Sequence, residues 1–247
     1  MDSITKNKWI QYEEKENVKL RLFCLPYAGG GSSIYRLWQK SMPEHIQVCK
    51  IQLPGRENRI NEQAIDSMED LVKTLAKQLF NYLDKPFALF GHSMGAMATY
   101  ELAKYLSNNT PYSPKHVFVS GCRTPNTPHN HITYHLEGEE FIDSLRQMGG
   151  TNEVLLNNKD YMKMVEPTLR ADLKLIERWH HNDIETLCCP LTVLGGVNDT
   201  LVLPTNLKQW HQYTNKIFEL KLFEGDHFFI NDDSHNIASI VANTLKQ

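Results

Sequence analysis

Residues 86–98 read PFALFGHSMGAMA, and this stretch decides the fold. Pro86 to Gly91 form an apolar run with no alternation, which suits a strand buried on both faces of a parallel sheet. Gly91, Ser93 and Gly95 then satisfy G-x-S-x-G, and from Met94 to Leu106 the pattern turns helical, opening on small residues. Strand, one sharp turn and helix follow one another without a linker. Such a turn strains the serine backbone, and the glycines two before and two after it let neighbouring backbone pass closely. The Ser93 hydroxyl then stands clear at the sheet edge as a candidate nucleophile. The motif alone is only moderately specific, because an inert serine on a glycine-rich turn would match it too. The strand–turn–helix setting gives it its weight.

Working outward, short apolar runs alternate with longer amphipathic ones. Strands are expected at Lys19–Leu25, Ile46–Ile51, Lys115–Ser120, Leu191–Leu194 and Ile217–Phe223. Between Ser67 and Leu83, Leu71, Val72, Leu75, Leu79 and Leu83 recur at helical spacing, with Ser67 and Asp70 forming a capping signal. A last helix is expected from about Ser234 to Leu245. The alternation predicts a mostly parallel central sheet with helices on both faces. Together with the turn at Ser93 this predicts an α/β-hydrolase fold, in a single domain over residues 1–247. One stretch breaks the rhythm. Residues 123–187 hold no convincing strand but two helical patterns, Glu139–Met148 and Lys159–Trp179. They are expected to form a helical lid over the sheet edge where ligands bind in open α/β sheets.

A serine hydroxyl is a weak nucleophile at neutral pH and needs a base, which in turn needs an orienting group. In this fold the chain order is Ser, then Asp or Glu, then His. His227 follows the strand ending at Phe223, in the loop EGDHFF, and Asp199 follows the strand ending at Leu194, in GGVND. Both fall at strand C-terminal ends, on the edge that carries Ser93. Rivals fit less well. Asp226 adjoins His227 and is expected to bond within its own loop. Asp232 and Asp233 are expected to cap a helix. His92 reads as a structural hydrogen-bonding residue beside the site. His129, His131 and His135 sit in irregular sequence without metal-ligand spacing, and His180 and His181 fall at a helix end.

The first strand leads into Leu25-Pro26-Tyr27-Ala28-Gly29-Gly30-Gly31. Hydrolases of this fold take one oxyanion donor from such a loop and the other from the residue after the nucleophile. The expected donors are the backbone N–H groups of Ala28 and Met94. A phosphate-binding loop is the competing reading. It fails because no Lys-Ser/Thr follows the glycines and GGGSS does not match G-x-G-x-x-G.

Composition narrows the partners. The chain has 247 residues, a net charge of −3 and no block of Lys and Arg, which argues against nucleic acid and anionic membranes. No apolar run approaches the roughly 20 residues needed to span a bilayer. The polar N-terminus, MDSITKNKWIQYEEKEN, does not read as a secretory signal. Five scattered cysteines without a C-x-x-C pair argue against a disulfide framework or a zinc site, and Cys24 and Cys49 read as small core residues. A cytoplasmic enzyme is the expectation.

With these residues in view the chain resembles the type II thioesterases, the stand-alone hydrolases that accompany nonribosomal peptide and polyketide synthetases. The resemblance spans about Leu20 to Leu245. It is carried by LPYAGG (25–30), LPGRE (53–57), FGHSMGA (90–96), EPTLRADLKLIE (166–177), and GVND with GDHFF near 196–229. It implies a triad of Ser93, Asp199 and His227, with oxyanion donors at Ala28 and Met94. It also implies hydrolysis of acyl groups mis-loaded on the phosphopantetheine arm of an acyl or peptidyl carrier protein. A monomer with no metal and no cofactor of its own is expected. The lid is the least transferable part, and acyl preference stays open. A small-molecule carboxylesterase or lipase would carry the same triad, and a hydrolase fold kept only to bind carrier proteins is a second alternative. An acyltransferase is a third, should the lid exclude water and a second nucleophile enter.

Overall fold

The computed structural model describes residues 7–129 and 132–246. Within them seven strands form one sheet: β1 (Ile10–Gln11), β2 (Leu20–Leu25), β3 (Ile46–Ile51), β4 (Phe87–His92), β5 (His116–Ser120), β6 (Leu191–Gly196) and β7 (Phe218–Phe223). Their order is β1-β3-β2-β4-β5-β6-β7. Every pairing is parallel except that of β1 with β3. The predicted strands stand within one or two residues of expectation. β1 is an addition, and two residues are too few to show a period; pairing of Ile10 with Ile51 defines it.

The sheet is covered on both faces, and β2 shows how the sequence specifies this. Phe23 and Leu25 belong to one apolar layer, Leu22 and Cys24 to the other, and all four are wholly buried. Alternate residues point to opposite faces, so an unbroken apolar strand fits only between two helical layers. Full burial of each such side chain contributes about 1.5–3 kcal/mol. One layer is supplied by α1 (Met68–Leu79) and α2 (Met94–Asn109), the other largely by α8 (Ser234–Thr244) and the segment around Tyr35 and Trp38. The Ser67 hydroxyl caps α1 by accepting the Asp70 amide at 3.3 Å. α1 presents Leu71, Val72, Leu75 and Leu79 to the core, as the spacing predicts. The thiols of Cys49, Cys122 and Cys189 are buried, and desolvation pushes each up to about 12, far from reactivity near neutral pH.

Among the described residues the 123–187 segment has no named strand. It holds α3 (Gly138–Met148), α4 (Glu153–Leu156) and α5 (Lys159–Arg178). These pack around a small core of their own, Phe141, Leu145, Leu156, Met162 and Leu173. The Asn158 side chain starts α5 by accepting the amides of Asp160 and Tyr161. α4 is one turn long, too short for periodicity to reveal. Beyond the lid come α6 (Pro204–Leu207) and α7 (Phe229–Asp232). The predicted capping by Asp232 and Asp233 is not what forms. Asp232 ends α7, and Asp233 precedes α8 at φ −116°, ψ 31°, outside the extended geometry that aims a side chain at the first amides of a helix. Its carboxylate instead accepts Asn236 Nδ2 at 2.8 Å.

Candidate active site

Five loops leave the carboxyl ends of β2, β4, β5, β6 and β7 along one edge of the sheet, and the predicted site residues gather there. Ser93 is the single residue between β4 and α2, at φ 52°, ψ −117°. A non-glycine residue at positive φ is strained, and such strain persists only where the surroundings over-determine it. Here they do. The Ser93 amide donates to Ser120 O at 2.8 Å, and Ser93 O accepts from Ala96 and Met97. The flanking glycines are sterically required: a Cβ on Gly91 would lie 2.1 Å from Gly95 O, and one on Gly95 would lie 2.3 Å from Leu25 O.

Ser93 Oγ lies 2.9 Å from His227 Nε2, and His227 Nδ1 lies 2.8 Å from Asp199 Oδ2. A carboxylate can only accept, so Nδ1 carries the proton and Nε2 is the free acceptor facing the serine hydroxyl. Asp199 is buried, and its second oxygen accepts the amides of Leu201 and Val202 at 2.9 and 2.8 Å. Those bonds fix the carboxylate, which fixes the imidazole. The rival Asp226 turns away, its Oδ1 accepting the Phe228 amide at 2.7 Å within its own loop, as the sequence predicts.

His92 adds a second layer of support. Its Nε2 sits 2.9 Å from the backbone carbonyl of His227, so this nitrogen must donate, and Nδ1 must accept from Ser120 Oγ at 2.8 Å. Burial, with the neighbouring His227 second, holds the His92 pKa well below the usual histidine value, which keeps this neutral tautomer. The predicted structural role of His92 therefore takes a definite form: it holds the backbone of the residue that faces the nucleophile. Of the other histidines weighed, His129 lines the same cleft as Ser93, His135 packs edge-on against Tyr134, and His180 bonds to Pro125 O. His131 falls outside the described residues.

Ala28 lines the same cleft as Ser93 and His227. Met94 is the first residue of α2, where an amide has no partner within the helix. The expected N–H donors thus belong to two segments beside Ser93, the loop after β2 and the first turn of α2. The cleft itself is about 1480 Å³ and runs beneath the lid. Leu145, Met148, Met164, Leu169 and Leu173 line it from α3 and α5. Its floor is Ser93, Gly121 and His227. Phe228 stands beside the base, edge-on to the ring of His227 at 5.2 Å and to Tyr27 at 5.3 Å. The covering segment rests on it, since a Cβ on Gly150 would meet the Phe228 ring at 2.2 Å.

Sequence reasoning assigned no role to Arg56 or Asp172. Arg56 and Asp172 form a buried pair, with Nη1 2.7 Å from Oδ2 and Nη2 2.9 Å from Oδ1. A signal existed: Thr168 and Asp172, four residues apart on α5, put polar groups on the inward stripe between Leu169 and Leu173.

Comparison with known proteins agrees with the geometry. The family model for the thioesterase domain matches residues 20–245. Gramicidin S biosynthesis protein GrsT of Aneurinibacillus migulanus is 37% identical over 97% of this chain and 94% of its own. The thioesterase RedJ of the prodiginine pathway in Streptomyces coelicolor superposes with a TM-score of 0.85 at 32% identity, covering 94% of this chain and 88% of that one. The type II thioesterase BorB of the borrelidin cluster gives a TM-score of 0.85 at 29% identity over 95% and 96% of the two chains. The fold, the matched span and these relatives agree, and the chain belongs to the thioesterase-domain family, as a hydrolase of thioester bonds of the type II kind.

Proposed function

We propose that this enzyme clears mis-loaded acyl groups from the phosphopantetheine arm of acyl or peptidyl carrier proteins of a nonribosomal peptide or polyketide synthetase. Ser93, His227 and Asp199 are its catalytic triad. The observation that carries this reading is the unbroken line from Ser93 Oγ through the His227 ring to Asp199, at 2.9 and 2.8 Å, on the floor of a lidded cleft. The relatives supply the biological setting, since their names place them in gramicidin S, prodiginine and borrelidin biosynthesis.

In the first step Ser93 Oγ attacks the thioester carbonyl carbon while its proton passes to His227 Nε2. Asp199 stabilises the imidazolium and holds its orientation. The negative charge on the former carbonyl oxygen is met by the N–H groups of Ala28 and Met94. Collapse of this intermediate breaks the carbon–sulfur bond and releases the pantetheine thiolate, which takes the proton held on His227 Nε2 and leaves the ring neutral for the second step. A thiolate leaves readily, so acid assistance matters less here than for an amide. In the second step His227 takes a proton from water, the hydroxide attacks the acyl-serine, and the free acid leaves as Ser93 recovers its proton. No metal or cofactor enters the sequence. The reading sets the enzyme to work as a monomer in the cytoplasm, where its five free thiols fit a reducing environment.

Hydrolysis of acyl-loaded carrier protein by the wild type and by Ser93→Ala tests the proposal, with a simple aryl ester of the same acyl group as comparison. Turnover of the carrier thioester should vanish in the variant. Full activity without the hydroxyl, or a strong preference for the free ester over the carrier-bound thioester, would refute it.

A further inference from the structure

The lid helix reaches the oxyanion loop through one buried carboxylate. Asp172, wholly buried in α5, accepts the Gly29 N–H on Oδ2 at 2.7 Å. The same carboxylate takes both terminal nitrogens of Arg56, which is itself buried and also approaches the Pro54 and Gly30 carbonyls. One turn earlier on α5, Thr168 Oγ1 donates to Gly55 O at 2.6 Å. Gly29 directly follows Ala28 and adopts φ +73°, as the second central residue of a turn that the Gly30 N–H closes on Tyr27 O at 2.9 Å, and it opens a run of three glycines. α5 also presses on this point, for a Cβ on Gly29 would lie 2.7 Å from Leu169 Cδ2.

We infer that Asp172 is a positioning residue for the thioester reaction: paired with Arg56, it locks the Ala28–Gly29 backbone so that the Ala28 N–H faces the oxyanion. The inference rests on the proposed triad and oxyanion donors. Its physical basis is that the Gly29 N–H belongs to the peptide plane hinged at the Ala28 Cα. Anchoring that plane, the central one of the Tyr27–Gly30 turn, to a rigid helix opposes the peptide flip that a glycine at this position would otherwise allow. Charge explains why the anchor comes as a pair. A lone carboxylate so near a developing oxyanion would oppose it, and bidentate Arg56 cancels that field while using both carboxylate oxygens. The oxyanion site is then complete only while α5 is seated, so lid position and transition-state stabilisation become one property.

The test compares the wild type, Asp172→Ala and Asp172→Asn as full chains. It measures kcat and KM for hexanoyl-coenzyme A and the inhibition constant of a hexyl trifluoromethyl ketone, which forms a tetrahedral oxyanion adduct on the serine. Circular dichroism melts confirm that each chain is folded at the assay temperature. Asp172→Ala should lose about 10²-fold in kcat and a similar factor in ketone affinity, with KM held within about threefold. Asp172→Asn, whose amide oxygen still accepts from Gly29, should lose only about tenfold in both. A purely structural pair would lower activity only in step with the folded fraction and leave ketone affinity unchanged in the folded chain; either result overturns the inference. Should the alanine chain not fold, the asparagine chain decides. A joint loss in kcat and ketone affinity upholds the inference, and unchanged values overturn it. Ser93→Ala, run alongside, reports separately on the triad: retained turnover there removes the catalytic reading, whereas an inactive Ser93→Ala beside unaffected Asp172 variants removes only the positioning role.

Discussion

At the residue scale, the turn at Ser93 binds conformation and chemistry into one constraint. Gly95 packs against the carbonyls of Leu25 and Pro26, at 2.3 and 2.5 Å from where a Cβ would stand. That seam joins the start of α2 to the end of β2, so it sets the spacing between the Met94 and Ala28 amides. Gly95→Ala should therefore cost about 1–3 kcal/mol of stability by overpacking, and should also lower kcat in the fraction that folds. A melt and an active-site titration would separate the two effects. Asp199→Asn is the complementary change. It preserves shape, but an amide facing Nδ1 favours the tautomer that protonates Nε2, so kcat should drop by about 10⁴ with little change in melting temperature.

At the scale of elements, the lid is pinned at its base by bonds that run to backbone. The Glu177 carboxylate accepts the Thr133 amide at 2.9 Å, the Tyr134 amide at 3.2 Å and the Thr133 hydroxyl. Arg170 donates to the carbonyls of Tyr134 and Leu136 at 2.8 and 2.6 Å. Glu177→Ala would strand buried donors at about 1–3 kcal/mol apiece. It should expose residues 132–137 to limited proteolysis well before the sheet unfolds, and uniform resistance would show that the tether does not hold the segment. These elements also show where sequence suffices and where it does not. β4, Ser93 and α2 are legible because their determinants are local, an apolar run and two glycines within eleven residues. Asp199 and His227 are legible through chain order and strand ends. Asp172 is not, because its partner Arg56 lies 116 positions away and only the folded chain brings them together. β1 is invisible for the same reason, since pairing alone defines it.

At the scale of the molecule, buried neutral histidines tie stability to pH. Burial lowers the His116 pKa to about 4, where the ring stacks on Phe118 and bonds to Thr192 at the edge of the sheet opposite Ser93. Burial lowers His92 well below its usual value too. Both are depressed in the folded state, so the unfolded chain binds more protons once the pH falls below about 6.5. The contribution of His116 is full above that point and is lost progressively between about 6.5 and 4, at up to about 1.4 kcal/mol per pH unit. His116→Gln should flatten the acid limb of the stability curve while leaving turnover near pH 8 unchanged. An identical acid limb in the variant would assign the effect elsewhere.

The cleft is large enough to hold solvent beside an acyl chain. At about 1480 Å³ it has room for roughly 50 water molecules at bulk density, far more than a deacylation step requires. An acyl-serine formed there sits beside a reservoir of the cheapest acceptor at the concentration of bulk water, so added alcohols or amines should divert little of the flux. The fate of the acyl group would then be decided by how crowded the chamber is when the intermediate forms. Filling it with bulkier lid residues is the route by which the same triad could be turned from discarding chains to passing them on.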